Sequence, residues 1–561
     1  MLREAYGLGA SSAARHFFVG FVLCLTVGWV IHLAYTRLPR AITGLPALAG
    51  VALGTLFAAG KLPSFPFHTP GLASTQGQVA MGLCVFSALV ATLVLLSDPM
   101  RLRRARAFGA ALCVLVSIAA VPLFTGMLRE KAAWPERPNV ILISLDTLRT
   151  DRLSCYGYDR PTTPEIDRFA QGGMRFTRAF APHPWTLTSH MTMLTGRMPT
   201  DHGVGEEQSL YSSIPTLAEI LELEGYTSLA LVDPVVWMNE RFGFDRGFAA
   251  YRRAYGKADV RVEMLRPMLD DLGDGPFFLF LHFFDPHSDK DAQPYESAPE
   301  DHDLFCSWFQ GSFSGCIGEI CASKLLMAAN DQEVELSFDE RRYIHDTYDA
   351  GVRTMDRALG NLFREFEARG FFENSIVILT ADHGEELGDR GSFLHGTHYN
   401  ECVSVPLVIR MPDADAGATS DVLVSNVDLA ATVLDLCGAD SSLVQGHSHA
   451  ELLRKGPYEP RDFVLFDASQ GNIGILEGRY KMISFGGERM LFDLETDPEE
   501  RTNLLADESR SEVAERLMAR IAEERAKLTA AAQERAKEDA KVGLSDSDRE
   551  AVSDLGYGGG D

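Results

Sequence analysis

The sequence predicts an α/β fold, a sheet covered by helices on both faces, preceded by an N-terminal helical transmembrane region. Three observations carry that prediction. Four apolar stretches fill most of residues 16–125 of the 561-residue chain, each near the ~20 residues that a helix needs to cross a hydrocarbon core. Short apolar runs then alternate with helical patterns over the rest, as strands buried on both faces do. Charge divides at the same point. Residues 1–137 hold 12 Lys and Arg against four acids, a net of +8; the other 40 basic and 74 acidic residues give −34, for −26 overall. The acidic part lacks the basic footprint that a nucleic acid needs, which excludes that class of partner.

The apolar stretches are residues 16–35, 41–60, 78–97 and 107–125. A removable signal peptide has one short apolar core, not four. Arg37 and Arg40 lie between the first two, and Arg101, Arg103, Arg104 and Arg106 between the last two. Basic loops stay cytoplasmic. Both termini then lie outside, and if the second stretch does not span, the fourth still exits. The expected location is the cell or inner membrane, with the acidic region extracytoplasmic and the lipid bilayer as a partner.

A linker follows at residues 127–138. Residues 139–145 (NVILISL) read as a buried strand ending at Asp146. Apolar runs at 228–232, 276–282, 375–381 and 405–410 read as further strands, with helical patterns at 214–224 and 346–367. Residues 289–335 are irregular and read as an insertion in a core spanning 139–440. A C-terminal subdomain covers 441–510. The charged, Ala-rich stretch 508–541 has helical periodicity and reads as a solvated helix within an extension and tail, 511–561. Cys306, Cys316 and Cys321 cluster in the insertion. Outside the cytoplasm one disulfide among them is expected.

Sites in open α/β sheets form beyond the carboxyl ends of strands. Asp146 ends one strand, and Asp382 and His383 end another. Two carboxylates and an imidazole suit one divalent metal ion: Mn, Mg, Ca or Zn. Between them lies HPWTLTSHMTMLTGRMPT (183–200), in which Thr186 precedes a helical run. A hydroxyl there is often a cap, but the same position binds anions. Activated by a metal, it can attack phosphorus or sulfur.

The segment NVILISLDTLRTDRLSCYGYDRPTTPEID (139–167) resembles the opening of a sulfatase domain of the alkaline phosphatase superfamily. In the same order follow PWTLTSHMTMLTGR (184–197), FFLFLHFFDPH (277–287), YDAGVRTMD (348–356), ILTADHGEELGDRGSFLHG (378–396), VPLVIR (405–410) and LFDLETDPEERTNL (491–504). LSDSDREAVSDLGY (544–557) is similar to the closing segment of many such chains. The resemblance implies an alkaline-phosphatase-like central sheet flanked by helices, with a smaller C-terminal α+β subdomain closing the site. It implies a divalent metal bound by Asp146, Asp382 and His383, with Thr186 at the nucleophile position. His287 falls where the family places a His that binds the ester or protonates the leaving group, and His395 falls near another substrate-binding basic residue, with His398 as an alternative to His395. Arg149 and His190 fall where the anion is held.

The departures bear on mechanism. The family's sulfatases carry Cys or Ser at the nucleophile, in a Cys/Ser-x-Pro-x-Arg motif oxidised to formylglycine. Here Thr186, Thr188 and His190 stand at those positions, and threonine oxidises to a ketone, not an aldehyde. Ser189 is a second hydroxyl nearby, in surroundings that do not match. Thr147 replaces the second Asp of the usual Asp-Asp pair. The implied activity is a membrane-anchored hydrolase of sulfate, phosphate or phosphonate esters working through a covalent Thr186 intermediate. Two alternatives stay open. Membrane-anchored phosphotransferases of the superfamily use a threonine nucleophile on envelope lipids or glycans. A catalytically degenerate domain binding an anionic ligand is the other.

Overall fold

The computed structural model describes residues 137–535 apart from 289–292, 413 and 468–471, together with Ser545 and Asp548. The four expected membrane spans and most of the linker and of the closing segment fall outside those residues. Among the described residues no helix is long and apolar enough to cross a membrane.

Eight strands form the main sheet. They are β1 (Asn139–Leu145), β2 (Met174–Phe180), β3 (Thr227–Val232), β4 (Ala250–Arg253), β5 (Phe277–Phe283), β6 (Ser375–Thr380), β7 (Leu407–Arg410) and β8 (Thr419–Ser425). Their order is β8-β2-β7-β6-β1-β5-β3-β4. Only β7 runs against its neighbours β2 and β6; the other pairs are parallel. The central strands β1, β5 and β6 are buried along their whole length. Burying a Val, Leu or Ile stabilises by roughly 1.5–3 kcal/mol, so these strands anchor the core. An aspartate at Ile141 would strand a charge there and unfold the sheet. Ser144 of β1 pairs with His282 of β5 and Thr380 of β6. That register brings Asp146 and Asp382, each two residues further on, to the same level.

Three helices matter to the site. Helix α1 (Thr186–Thr195) follows β2. Helix α2 (Phe338–Ala368) is 31 residues long and opens on a capping box, in which Ser337 and Glu340 satisfy each other's backbone N–H groups. It starts eight residues before the helical pattern expected at 346. The stretch expected to be irregular is partly regular, with helices Pro299–Cys306 and Ala322–Asn330. A hairpin joins Cys316–Ile317 to Ile320–Cys321. A Cys316–Cys321 disulfide closes it, and Cys306 is a buried free thiol.

A second, four-stranded antiparallel sheet is built from β9 (Phe463–Asp467), β10 (Ile473–Glu477), β11 (Tyr480–Phe485) and β12 (Glu488–Asp493). Helix α3 (Ser511–Arg535) packs on it through Ala514, Leu517 and Leu528, against Ile475, Met482 and Leu491. The helix expected as a solvated extension is therefore part of the C-terminal subdomain. Its three buried apolar side chains are diluted among charges, which hid its docking face in the sequence.

Candidate functional site

The site lies at the carboxyl ends of β1, β5 and β6, where α1 begins. Asp146, Asp382 and His383 are fully buried, and one ligand atom from each lies within 4.8 Å of the others. The third residue of the Asp-His-Gly turn has a packing reason. A Cβ on Gly384 would meet the Glu401 carbonyl oxygen at 2.0 Å, and the Gly384 N–H donates to the Cys402 carbonyl at 2.7 Å. Thr186 opens α1, preceded by Trp185 in extended conformation. Its hydroxyl stands 3.4 Å from both Asp146 Oδ2 and His383 Nε2. The positive end of the α1 dipole therefore faces the cluster.

Two buried carboxylate oxygens, Asp146 Oδ1 and Asp382 Oδ2, have no hydrogen-bond donor among the described residues. Buried polar atoms are nearly always satisfied, so each orphan needs a reason. His383 Nδ1 donates to the Gly384 carbonyl at 2.9 Å. That leaves Nε2 facing Asp382 Oδ2 at 3.3 Å and Asp146 Oδ1 at 3.9 Å. Three electron-rich atoms directed at one another fit a cation at their centre. Without one, burial pushes Asp146 up to about 7 and Asp382 up to about 6. The residues present thus fit a divalent metal ion. Asp382 Oδ1 is separately held by the N–H groups of His383 (2.8 Å) and Thr147 (3.2 Å). Thr147 takes a left-handed backbone, φ 55°, a strained state for a β-branched residue. Tyr348 holds it there, donating its hydroxyl to the Thr147 carbonyl at 2.8 Å and accepting the Arg149 N–H at 3.0 Å.

His395 sits against the cluster, its ring 4.3 Å from that of His383 and 5.1 Å from that of His287. Its Nδ1 lies 2.7 Å from Glu385 Oε2, and the Tyr295 hydroxyl donates to Glu385 Oε1 at 2.9 Å. His287 stacks on Phe284 at 4.1 Å and turns Nδ1 to the Ser288 carbonyl. Burial holds both imidazoles down, His287 to about 3. Nδ1–H donation leaves Nε2 of each ring as the proton acceptor. The His398 ring lies 5.9 Å from that of Phe466 of the second sheet.

His190 is buried in α1. Its Nδ1 donates to the Thr186 carbonyl at 2.8 Å, and Nε2 accepts from the Ser144 hydroxyl at 2.9 Å. It thereby braces the start of the helix. The Arg149 guanidinium is engaged by Asp151 (2.8 and 2.9 Å), Asp389 (2.6 Å) and the Glu385 carbonyl (2.9 Å). It braces the turn that carries Glu385. Ser189 donates its hydroxyl to the Asp382 carbonyl at 2.7 Å. The sequence reading missed His282, whose Nε2 lies 3.0 Å from Asp146 Oδ2. Its signal was a lone polar side chain inside the apolar run FFLFLHF. Tyr295 had no local signal, since its partner is distant in the chain, and Tyr348 showed only as the first residue of YDAGVRTMD.

The model of the sulfatase family matches residues 138–439, more than half of the chain. The chain belongs to the sulfatase family. A second model, of the N-sulphoglucosamine sulphohydrolase C-terminal region, matches residues 388–527 of this sulfatase-family protein. Among curated relatives, an N-acetylglucosamine-6-O-sulfatase of Bacteroides thetaiotaomicron is 24% identical over 465 residues, covering 66% of this chain and 83% of the relative. Human arylsulfatase A is 26% identical over 419 residues, covering 64% and 77%. Two solved structures share the fold. One, in complex with its substrate D-glucosamine-2-N,6-O-disulfate, has a TM-score of 0.59 at 21% identity, covering 70% of this chain and 98% of that one. The phosphonate monoester hydrolase of Agrobacterium radiobacter has a TM-score of 0.56 at 22% identity, covering 70% and 96%. This protein is accordingly a sulfatase-like hydrolase, an enzyme of the sulfuric ester hydrolase type.

Proposed function

We propose that the chain is a membrane-anchored, extracytoplasmic, metal-dependent hydrolase of anionic sugar esters, sulfate first, with Thr186 as its nucleophile. The observation that carries this reading is the buried Thr186 hydroxyl, 3.4 Å from both Asp146 Oδ2 and His383 Nε2 at the start of α1. Asp146, Asp382 and His383 would hold a divalent ion, which supplies Lewis-acid polarisation of the ester when bound. The sugar-sulfate names of a relative and of a substrate complex support the substrate class. The phosphonate monoester hydrolase neighbour keeps phosphonate esters within reach of the same chemistry. The four apolar stretches and their basic loops support the anchor.

In this mechanism the Thr186 oxygen attacks sulfur or phosphorus, and the bond to the sugar oxygen breaks. The hydroxyl proton passes to Nε2 of His395 or His287, the ring nitrogen that the Nδ1 contact to Glu385 or to the Ser288 carbonyl leaves as acceptor. The same imidazole then returns the proton to the leaving oxygen. Acid–base help of this kind is worth roughly 10²–10⁴-fold. Water then attacks the sulfur or phosphorus of the sulfo- or phospho-threonine, the bond to the Thr186 oxygen breaks, sulfate or the phosphorus acid leaves, and a proton from the water restores the hydroxyl. Glu385, fixed by Tyr295, stabilises the imidazolium of His395 while it carries the proton. The decisive experiment compares wild type, Thr186→Ala and Thr186→Ser on N-acetylglucosamine 6-sulfate and a phosphonate monoester, with metal content measured alongside. The alanine variant should keep its metal and lose turnover, and peptide mass spectrometry of slow turnover should find the modified Thr186. Unchanged turnover in Thr186→Ala with metal retained would overturn the assignment.

A further inference from the structure

The geometry points to Trp185 as the stacking wall for the sugar ring of the substrate, a specificity subsite beside the nucleophile. From residue 179 to residue 196 every side chain is buried except Trp185, which is half-buried. The one side chain of this segment that reaches the surface is thus the one next to Thr186, itself fully buried. Trp185 and Trp237 come from the segments that leave β2 and β3. In the sheet order β7, β6, β1 and β5 lie between those two strands, and the ends of the last three carry Asp382, Asp146 and His287. The two indoles nonetheless meet, edge to face, with centroids 5.0 Å apart. The contact therefore bridges the strand ends that bear the site.

The wall is rigid. Trp237 is 1% exposed. The backbone carbonyl of Trp185 accepts the Ser189 N–H at 2.9 Å, which locks it to the first turn of α1. An indole offers a broad apolar face with little conformational freedom to lose, suited to the C–H face of a pyranose. A second ring near it favours a hydroxyl-bearing ring over a bare aryl group. His183 lies 5.9 Å away, and neither of its ring nitrogens has a partner among the described residues. Ligand sites combine such apolar walls with a few polar groups that set orientation.

This subsite rests on the hydrolase reading above, and the test separates the two. Full-length wild type, Trp185→Ala and Trp185→Phe are compared on N-acetylglucosamine 6-sulfate, 4-nitrophenyl sulfate and the acyclic choline sulfate. N-acetylglucosamine quenching of tryptophan fluorescence is measured in parallel. Trp185→Ala should raise KM for the sugar sulfate about tenfold with kcat nearly kept. Trp185→Phe should recover most of that loss, and choline sulfate should change less than twofold. The fluorescence response to the free sugar should vanish in Trp185→Ala. An equal loss on all three esters would mark Trp185 as merely structural, and a loss on the aryl ester alone would assign the wall to another alcohol. Either overturns the subsite, as does an unchanged KM for the sugar sulfate. If wild type cleaves none of the esters, the hydrolase reading fails. The fluorescence response then decides the subsite by itself, supporting it if present in wild type and lost in Trp185→Ala, and overturning it otherwise.

Discussion

Lys481 and Glu500 form an ion pair at 2.8 Å in which neither side chain is exposed. Lys481 stands on β11. Its ammonium donates to the Asn400 side-chain carbonyl at 2.8 Å, and Glu500 Oε2 accepts the Asn400 N–H at 2.6 Å. Asn400 opens the short helix Asn400–Val403, five residues past His395. The pair therefore clamps the second sheet to the segment that carries a proposed proton acceptor. Lys481→Met removes one charge and leaves the buried Glu500 carboxylate with only the Asn400 N–H at 2.6 Å and the longer Arg390 Nη2 contact at 3.9 Å. Breaking a buried pair in this way costs about 3–5 kcal/mol. Whole domains are stable by only about 5–15 kcal/mol, so the loss should be large in urea unfolding followed by tryptophan fluorescence. The double variant Lys481→Met/Glu500→Leu restores an apolar contact beside Phe466, over which the ammonium now sits at 5.1 Å. It should come within about 1 kcal/mol of wild type, because replacing both members of a buried pair is often neutral. Turnover should fall in the single variant and recover in the double. A Lys481→Met cost below about 1 kcal/mol, or a double variant as unstable as the two singles added, would refute the reasoning.

Two further outcomes are expected. Asp382→Asn should lose the divalent ion measured by elemental analysis. It should also lose the metal-dependent rise in Tm, which for wild type at a hundredfold excess over Kd corresponds to about 2.7 kcal/mol; equal metal content in variant and wild type would remove Asp382 from the ligand set. Burial lowers the His398 imidazole to about 3 from an ordinary 6.5. A folded pKa below the unfolded one contributes stability that is complete above pH 6.5 and is lost as pH falls towards 3, at about 1.4 kcal/mol per unit. His398→Phe should therefore be more stable than wild type by about 2–3 kcal/mol at pH 4.5 relative to their difference at pH 8. Parallel stability curves across that range would contradict it.

The central strands were legible because both their faces are buried, so β1, β5 and β6 are continuous apolar runs. Strands β2, β4 and β8 were not. The sequence of β2, MRFTRAF, puts two arginines among its apolar residues. β4 is the edge strand AYRR, and β8 begins with the polar TSD. Charged side chains on an exposed edge or face protect a sheet from unwanted pairing, and they erase the hydropathy signal. The start of α2 was hidden in a similar way, by the charged run at 339–342, although its Ser337–Glu340 capping box is readable in the chain.

What the sequence determined by itself was local chemistry: which strands are buried, which acids and histidine end them, and where a threonine meets a helix N-terminus. Those features depend on neighbours within a few residues. Only the tertiary structure decided which of them converge. The one-to-one register of β1 with β5 and β6 levels Asp146 with Asp382 and brings in His282. Contacts between residues far apart in the chain then assign the rest. Glu385 takes up His395, Tyr348 holds the strained Thr147, Arg149 is caged by carboxylates, and Trp185 meets Trp237 over the strand ends. Such pairings depend on where packed surfaces bring distant segments, and no spacing within one segment encodes them.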